Sequence, residues 1–154
     1  MEPGRLARAV VGVLVLPHEL AHALPAWLAG LDVEVSVLPD RTSGVALGQF
    51  DAAVDSSTPA ALIRACALAP LPTHLLVAAT LGAVVPATSS LLTVLFPLVT
   101  FWAVLSGGDL AVAANPEAAR EAGRFQVPRQ RWHTPVALVS VPLTALAVAL
   151  LLVG

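Results

Sequence analysis

The chain has 154 residues, 57% of them hydrophobic and only 12% charged, with a net charge of −2 at pH 7 and a mean hydropathy of +0.84. Water-soluble domains run closer to about 45–50% apolar and about 25% charged residues, so this balance excludes an ordinary soluble domain and fits a single integral membrane domain over residues 1–154. All eight basic residues are Arg and form no clustered basic face, which excludes a nucleic-acid partner; the lone Cys66 excludes an internal disulfide and a thiolate metal site and reads as a small apolar residue.

Crossing a bilayer as a helix takes about 20 mainly apolar residues, and the stretches about 5–30, 60–85, 89–110 and 132–153 are long enough. The first carries PHELAH at 17–22. It is expected to stay in the mature protein, being too long for a signal peptide and lacking a small-residue cleavage site followed by a polar chain. Pro17 removes a backbone donor and should bend the helix just before His18. Gly30 suits the position just past a helix C-terminus.

From 31 to 51 the character changes. Leu31, Val33, Val35 and Val37 alternate with Asp32, Glu34 and Ser36, the period of a strand. Pro39, Asp40 and Gly44 mark a turn and VALGQF returns, so 31–51 reads as a β-hairpin that leans on the membrane domain. Thr58 and Pro59 open the second span, whose APLPTH at 69–74 implies a kinked middle. A short turn with Pro86, Ser89 and Ser90 leads into span three, whose apolar run is expected to end at Ser106, Gly107, Gly108 and Asp109. PEAARE, in the polar stretch 115–131, looks like the first turn of a short surface helix, and the uncharged fourth run is a plain membrane helix. The expected fold is thus an all-α membrane protein of four transmembrane helices with a short β-hairpin after the first.

Cytoplasmic flanks of membrane helices carry excess Lys and Arg. Arg41, Arg64, Arg120, Arg124, Arg129 and Arg131 fall on the side of the hairpin and the loop after span three, against Arg5 and Arg8 on the other. This predicts a multi-pass cell-membrane protein with both termini outside and the hairpin side facing the cytoplasm.

On a helix, residues four apart share a face, so His18 and His22 can offer two nitrogens to one metal ion. Glu19, about 100° around, stands beside that ion rather than on it. This is the geometry of H-E-x-x-H, in which two imidazoles bind zinc and a carboxylate takes a proton from the activated water. Ionisable groups inside a span are costly, which strengthens a metal site over a hydrogen-bonded cluster that merely joins helices. Catalytic zinc usually has a third protein ligand. The candidates are His74, Asp109, Glu117 and His133, and Asp109 is preferred as the one carboxylate besides Glu19 in the body of a span, preceded by two glycines. His74 could face the site as a donor to the transition state, or bond a carbonyl freed by Pro70 or Pro72. His133 beside Trp132 reads as an interfacial anchor.

HELAH in the first span, a strand-like insertion after it, and a later span with an aspartate beside glycines resemble the site-2 protease class of intramembrane zinc metalloproteases. HELAHALPAWLAG, ALAP and SGGDL are similar, more narrowly, to the small zincin peptidases related to that class. The resemblance implies His18, His22 and Asp109 as zinc ligands, Glu19 as catalytic base and an active site opening to the cytoplasm. It also implies that 31–51 can pair with an extended substrate, making Val33, Val35 and Val45 substrate-edge candidates. The chain departs from the larger members, having Val94 where they carry Asn three residues before Pro97, Gly-Gly-Asp in place of Asp-Gly, and no room for a PDZ domain between spans two and three.

The expected function is therefore an intramembrane zinc metalloprotease that cuts transmembrane or membrane-adjacent peptides through a zinc-activated water. Its expected partners are the bilayer, a membrane protein or peptide substrate, and a second copy in a homodimer. The alternative is a non-catalytic zinc-binding membrane adaptor or regulator. An ion transporter would want ionisable groups spread across the bilayer, whereas here they gather at one place.

Overall fold

The computed structural model describes residues 3–37, 48–128 and 130–154, with side chains from residue 9 onward within them. The elements are α1 (Pro3–Leu28), β1 (Val33–Val37), β2 (Gly48–Ala52), α2 (Ala60–Leu68), α3 (Pro70–Val84), α4 (Leu92–Ala103), α5 (Gly107–Ala114), α6 (Pro116–Ala122) and α7 (His133–Val153). Among the described residues three stretches are long and apolar enough to cross a membrane, Ala9–Leu28, Leu92–Ala114 and His133–Val153, and a fourth is reached if the bent pair α2–α3 is one span. The molecule is a helical membrane protein with an antiparallel hairpin after its first helix.

The first helix runs unbroken through Pro17 and Pro25. It stops because Gly30 takes a left-handed conformation at φ +76°, letting Gly30 N–H bond Trp27 O and Leu31 N–H bond Ala26 O, the Schellman closure that satisfies terminal carbonyls. The second span breaks between Leu68 and Pro70, where α2 and α3 meet at a bend of 46°. Span three departs from the sequence expectation. Its apolar run does not end at Ser106, because Ser106 caps a further helix that continues to Ala114, and the break at 104–106 divides the span into α4 and α5. PEAARE does form α6, with Asn115 as N-cap and left-handed Gly123 behind it.

The hairpin pairs Val33 with Ala52 through Val37 with Gly48. Its return strand is described from Gly48 to Ala52, and Pro39, Asp40, Gly44 and Val45 lie outside the described residues. Phe50 and Ala52 of β2 join Ala23 and Ala26 of α1, Ile63, Cys66 and Ala67 of α2, Val112 of α5 and Phe125 in one core. Small residues at these crossings let the helices approach closely, as membrane packing requires. A second core joins Ala78 of α3, Val99 and Ala103 of α4, and Val148 and Leu152 of α7. The outward side of α7 exposes Leu138, Val139, Leu143, Leu146 and Leu150, a surface suited to lipid.

Candidate metal centre

His18 and His22 project from one face of α1, their Nε2 atoms 3.1 Å apart. Each ring is held from behind by a backbone carbonyl: His18 Nδ1–H donates to Trp102 O at 2.9 Å and His22 Nδ1–H to Cys66 O at 2.7 Å. A carbonyl only accepts, so the Nδ1 atoms carry the hydrogens and the Nε2 lone pairs point at each other. Such lone pairs repel unless a proton or a metal ion lies between them.

Both carbonyls are available because a helix breaks four residues later. Cys66 O would normally receive the N–H of residue 70, but Pro70 has none. Trp102 O would receive that of Ser106, but Ser106 N–H instead donates to Asp109 Oδ2 at 2.6 Å. Trp102 is tied in twice, since its indole N–H donates to Leu14 O at 2.8 Å. The two breaks that interrupt spans two and three are thus what orients the imidazoles on span one.

Asp109 completes the group. It sits at N3 of α5 in a capping box, with Ser106 Oγ accepting from Gly108 and Asp109 N–H and Asp109 Oδ2 accepting from Ser106 N–H. Asp109 Oδ1 lies 3.3 Å from His22 Nε2, and Oδ2 lies 3.6 Å from His18 Nε2. The three residues each offer one ligand atom, all within 4.8 Å of one another. Ligands bound tetrahedrally at about 2.0–2.1 Å stand roughly 3.3–3.4 Å apart, close to the 3.1 Å between the two Nε2 atoms and the 3.3 Å from His22 Nε2 to Asp109 Oδ1. The donor set, its spacing and its hydrogen-bonded supports fit a metal ion.

Around the group is a cavity of about 1200 Å³ lined by α1, β2, α4, α5, α7 and the segment 124–128. Glu19 lies on its wall, pressed by the hairpin: a Cβ at Gly48 would collide with Val15 and come within 3.0 Å of Glu19 Oε1. Only glycine admits the strand at this distance. Phe50 stacks on His22 at 5.6 Å and 18°, and Phe125 packs edge-on against Phe50 at 4.9 Å. The backbone runs on to this end of the molecule through Asp51, whose carboxylate accepts from Phe125 N–H at 2.9 Å.

Of the other sequence candidates, His74 is buried and donates through Nδ1 to Pro70 O at 2.8 Å. It packs against Trp102 at 5.8 Å and does not line the cavity. Glu117 pairs with Arg120 on α6 at 2.6 Å. His133 accepts from Gln130 N–H and is 2% exposed, so it is a buried residue under α7 rather than an interfacial anchor. Val33 and Val35 pack on the core and no residue of β1 lines the cavity, whereas Gly48, Gln49 and Phe50 of β2 do; Val45 lies outside the described residues. The edge that meets the cavity is therefore that of β2. Ala53 N–H bonds Asp32 O, which with the register makes Glu34–Asp51 and Ser36–Gln49 the hydrogen-bonded pairs and turns the backbone groups of Gly48 and Phe50 outward.

Sequence reasoning missed the supports: Cys66 and Trp102 carbonyls, the Ser106 cap and the Gly48 contact. Ser106 alone had a readable signal, the Ser-x-x-Asp spacing of a capping box. Comparison with protein-family models, with curated proteins and with solved structures finds no match to this chain.

Proposed function

We propose that the protein is a zinc-dependent intramembrane peptidase of the site-2 protease type, cutting peptide bonds of transmembrane or membrane-adjacent substrates. The observation that carries this reading is the juxtaposition of two imidazole Nε2 atoms, a carboxylate oxygen of Asp109 and, beside them on the same cavity, a carboxylate that ligates nothing, Glu19. Zinc held by His18, His22 and Asp109 would supply Lewis acidity and lower the pKa of water at its open position to about 7. Glu19 would take the proton from the attacking water and deliver it to the amine nitrogen that leaves. The outward edge of β2 at Gly48 and Phe50 would hold the substrate extended, with its carbonyl carbon presented between Glu19 and the ligand group. Such unwinding serves the chemistry, because a peptide bond inside a helix is shielded.

Among the described residues the group has three donors rather than four, and a cavity borders it; both favour an open catalytic site over a closed structural one. Orientation with the hairpin side in the cytoplasm is part of the proposal. The Arg excess on that side supports it, and hydrogen bonds bring the Arg-bearing segments to one end, Arg120 to Thr58 O, Arg64 to Ala113 O and Val54 N–H to Gly123 O. The deciding experiment is metal analysis of the purified protein together with cleavage of a panel of model transmembrane peptides by wild type and Glu19→Gln. Zinc in both proteins and cleavage by wild type alone is the expected result. Zinc without cleavage by wild type would leave the adaptor reading, and no zinc in either would remove both.

A further inference from the structure

A second groove, of about 400 Å³, lies between the hairpin-end half of α1 and the bent pair α2–α3. α1 runs toward the hairpin and α2 starts back from it, and the two are registered where His22 meets Cys66. The groove therefore has a direction. Leu28 and Ala61 stand at its hairpin end and Arg64 comes next; Leu24 and Leu68 line its middle, and Pro72, past the 46° bend into α3, lies furthest along. Arg64 is the one charged residue among those that line it.

The Arg64 side chain is anchored. Its Nε–H donates to Ala113 O at 3.2 Å, a carbonyl in the last turn of α5, which fixes the guanidinium beside the groove and leaves its terminal N–H groups without an acceptor among the described residues. Arg120 shows the contrast. It is anchored in the same way, through Nε–H to Thr58 O, but closes its fork on the Glu117 carboxylate, whereas Arg64 has no ion-pair partner among the described residues. A cationic group on a membrane-facing helix is costly until an anion meets it. Guanidinium donors held in a fixed fork match a phosphate group.

We propose that this groove binds an anionic phospholipid, its phosphate on the Arg64 guanidinium and an acyl chain lying along Leu24 and Leu68 toward Pro72. A lipid presents its charge near the membrane surface and its chain inward, in the order in which the groove presents Arg64 and its apolar wall, and basic pockets between membrane helices recognise anionic head groups in this way. A soluble anion would leave the apolar wall bare. The assignment holds for either orientation of the molecule in the membrane and does not depend on the peptidase reading.

The test counts lipid bound to the full chain in detergent by native mass spectrometry, with dilauroyl phosphatidylglycerol and dilauroyl phosphatidylcholine as probes. Wild type is expected to bind phosphatidylglycerol about 5- to 30-fold more tightly than phosphatidylcholine, the effect of one anchored Arg on a phosphate-bearing head group. Arg64→Gln should erase that preference. Ala65→Trp, which keeps Arg64 but fills the groove from an exposed lining position, should lose the bound lipid. Arg131→Gln removes the same charge from an exposed position that lines neither cavity and should bind as wild type does. Equal affinity of wild type for the two lipids overturns the assignment, as does a preference that survives Arg64→Gln or falls equally in Arg131→Gln, the mark of general charge attraction. Lipid retained by Ala65→Trp overturns it whether or not Arg64→Gln folds. Glycerol 3-phosphate, the anion without chains, should not displace the lipid; displacement at equal concentration would give the site to a soluble phosphate. A dimer that Ala65→Trp dissociates, with no lipid on wild type, would instead place a second copy in the groove.

Discussion

Glu19 is the residue at which metal binding and the proposed chemistry separate. Glu19→Gln keeps the size of the side chain and removes the proton acceptor, so cleavage is expected to fall by about 10²- to 10⁴-fold while zinc content, read by elemental analysis, stays at the wild-type level. Asp109→Ala acts in the opposite sense and is expected to lower zinc occupancy outright. Between them stands Ser106, which touches no metal ligand except through the capping box. Ser106→Ala should cost about 1 kcal/mol of stability for the lost cap with zinc affinity little changed, because the Ser106 backbone N–H that holds Asp109 Oδ2 is retained; competition with a zinc chelator checks the second outcome. His18, Glu19 and His22 were legible in the sequence because a helix of known period places them, and Asp109 because carboxylates are scarce in apolar runs. The groups that hold the imidazoles were not. They are backbone carbonyls of Cys66 and Trp102, and an acceptor common to every residue leaves no mark in a sequence until the helix around it is known to break.

The elements that carry the site are the interrupted ones. Pro70→Ala returns an N–H to the position from which Cys66 O would normally be bonded. The variant should straighten the join of α2 and α3, draw Cys66 O away from His22, and lower zinc affinity by about 10-fold, measured by the same competition, even as the helix itself becomes more regular. At the hairpin, Gly48→Ala forces a methyl group against Val15 and the Glu19 side chain; the expected result is loss of cleavage with zinc retained, since neither histidine is touched. The turn before α2 offers a pH test outside the membrane. The hydroxyl and N–H of Ser57, with those of Thr58, hold the Asp55 carboxyl below the usual carboxylate range. A depressed native pKa adds stability above the unfolded value of about 3.9 that is lost as pH falls through the lower folded value. The thermal midpoints of wild type and Asp55→Ala should therefore differ by a constant amount near neutrality and converge in acid. The strand period, the Pro-rich kink and the α6 signal were readable in advance. The continuation of span three into α5 was not, because Ser and two glycines look like an ending until the cap that begins the next helix is recognised.

For the molecule as a whole, the Arg distribution puts the hairpin end in the cytoplasm under the proposed orientation. Cys66 is fully buried, so the wild-type chain should be silent to a membrane-impermeant maleimide, and Ser57→Cys and Ser90→Cys report opposite ends. In right-side-out vesicles Ser90→Cys should label and Ser57→Cys should not; the reverse pattern would invert the topology. The spans themselves were legible from hydropathy because it acts on whole segments. The packing that closes the centre depends on contacts between residues as far apart as His18 and Trp102, which no local pattern encodes. One consequence concerns how the protein is made. Its ligands come from α1 and α5, and the carbonyls that steer them from α2 and α4, so a nascent chain that has delivered only its first span to the membrane possesses both histidines and no centre. Capture of a metal by all three residues must follow the docking of later spans, and under the proposed function an unfinished chain would be inactive in the membrane where it is being assembled. Metal loading would then serve as a gauge of completed biogenesis, and truncation after α4 should yield an inserted protein that holds no zinc.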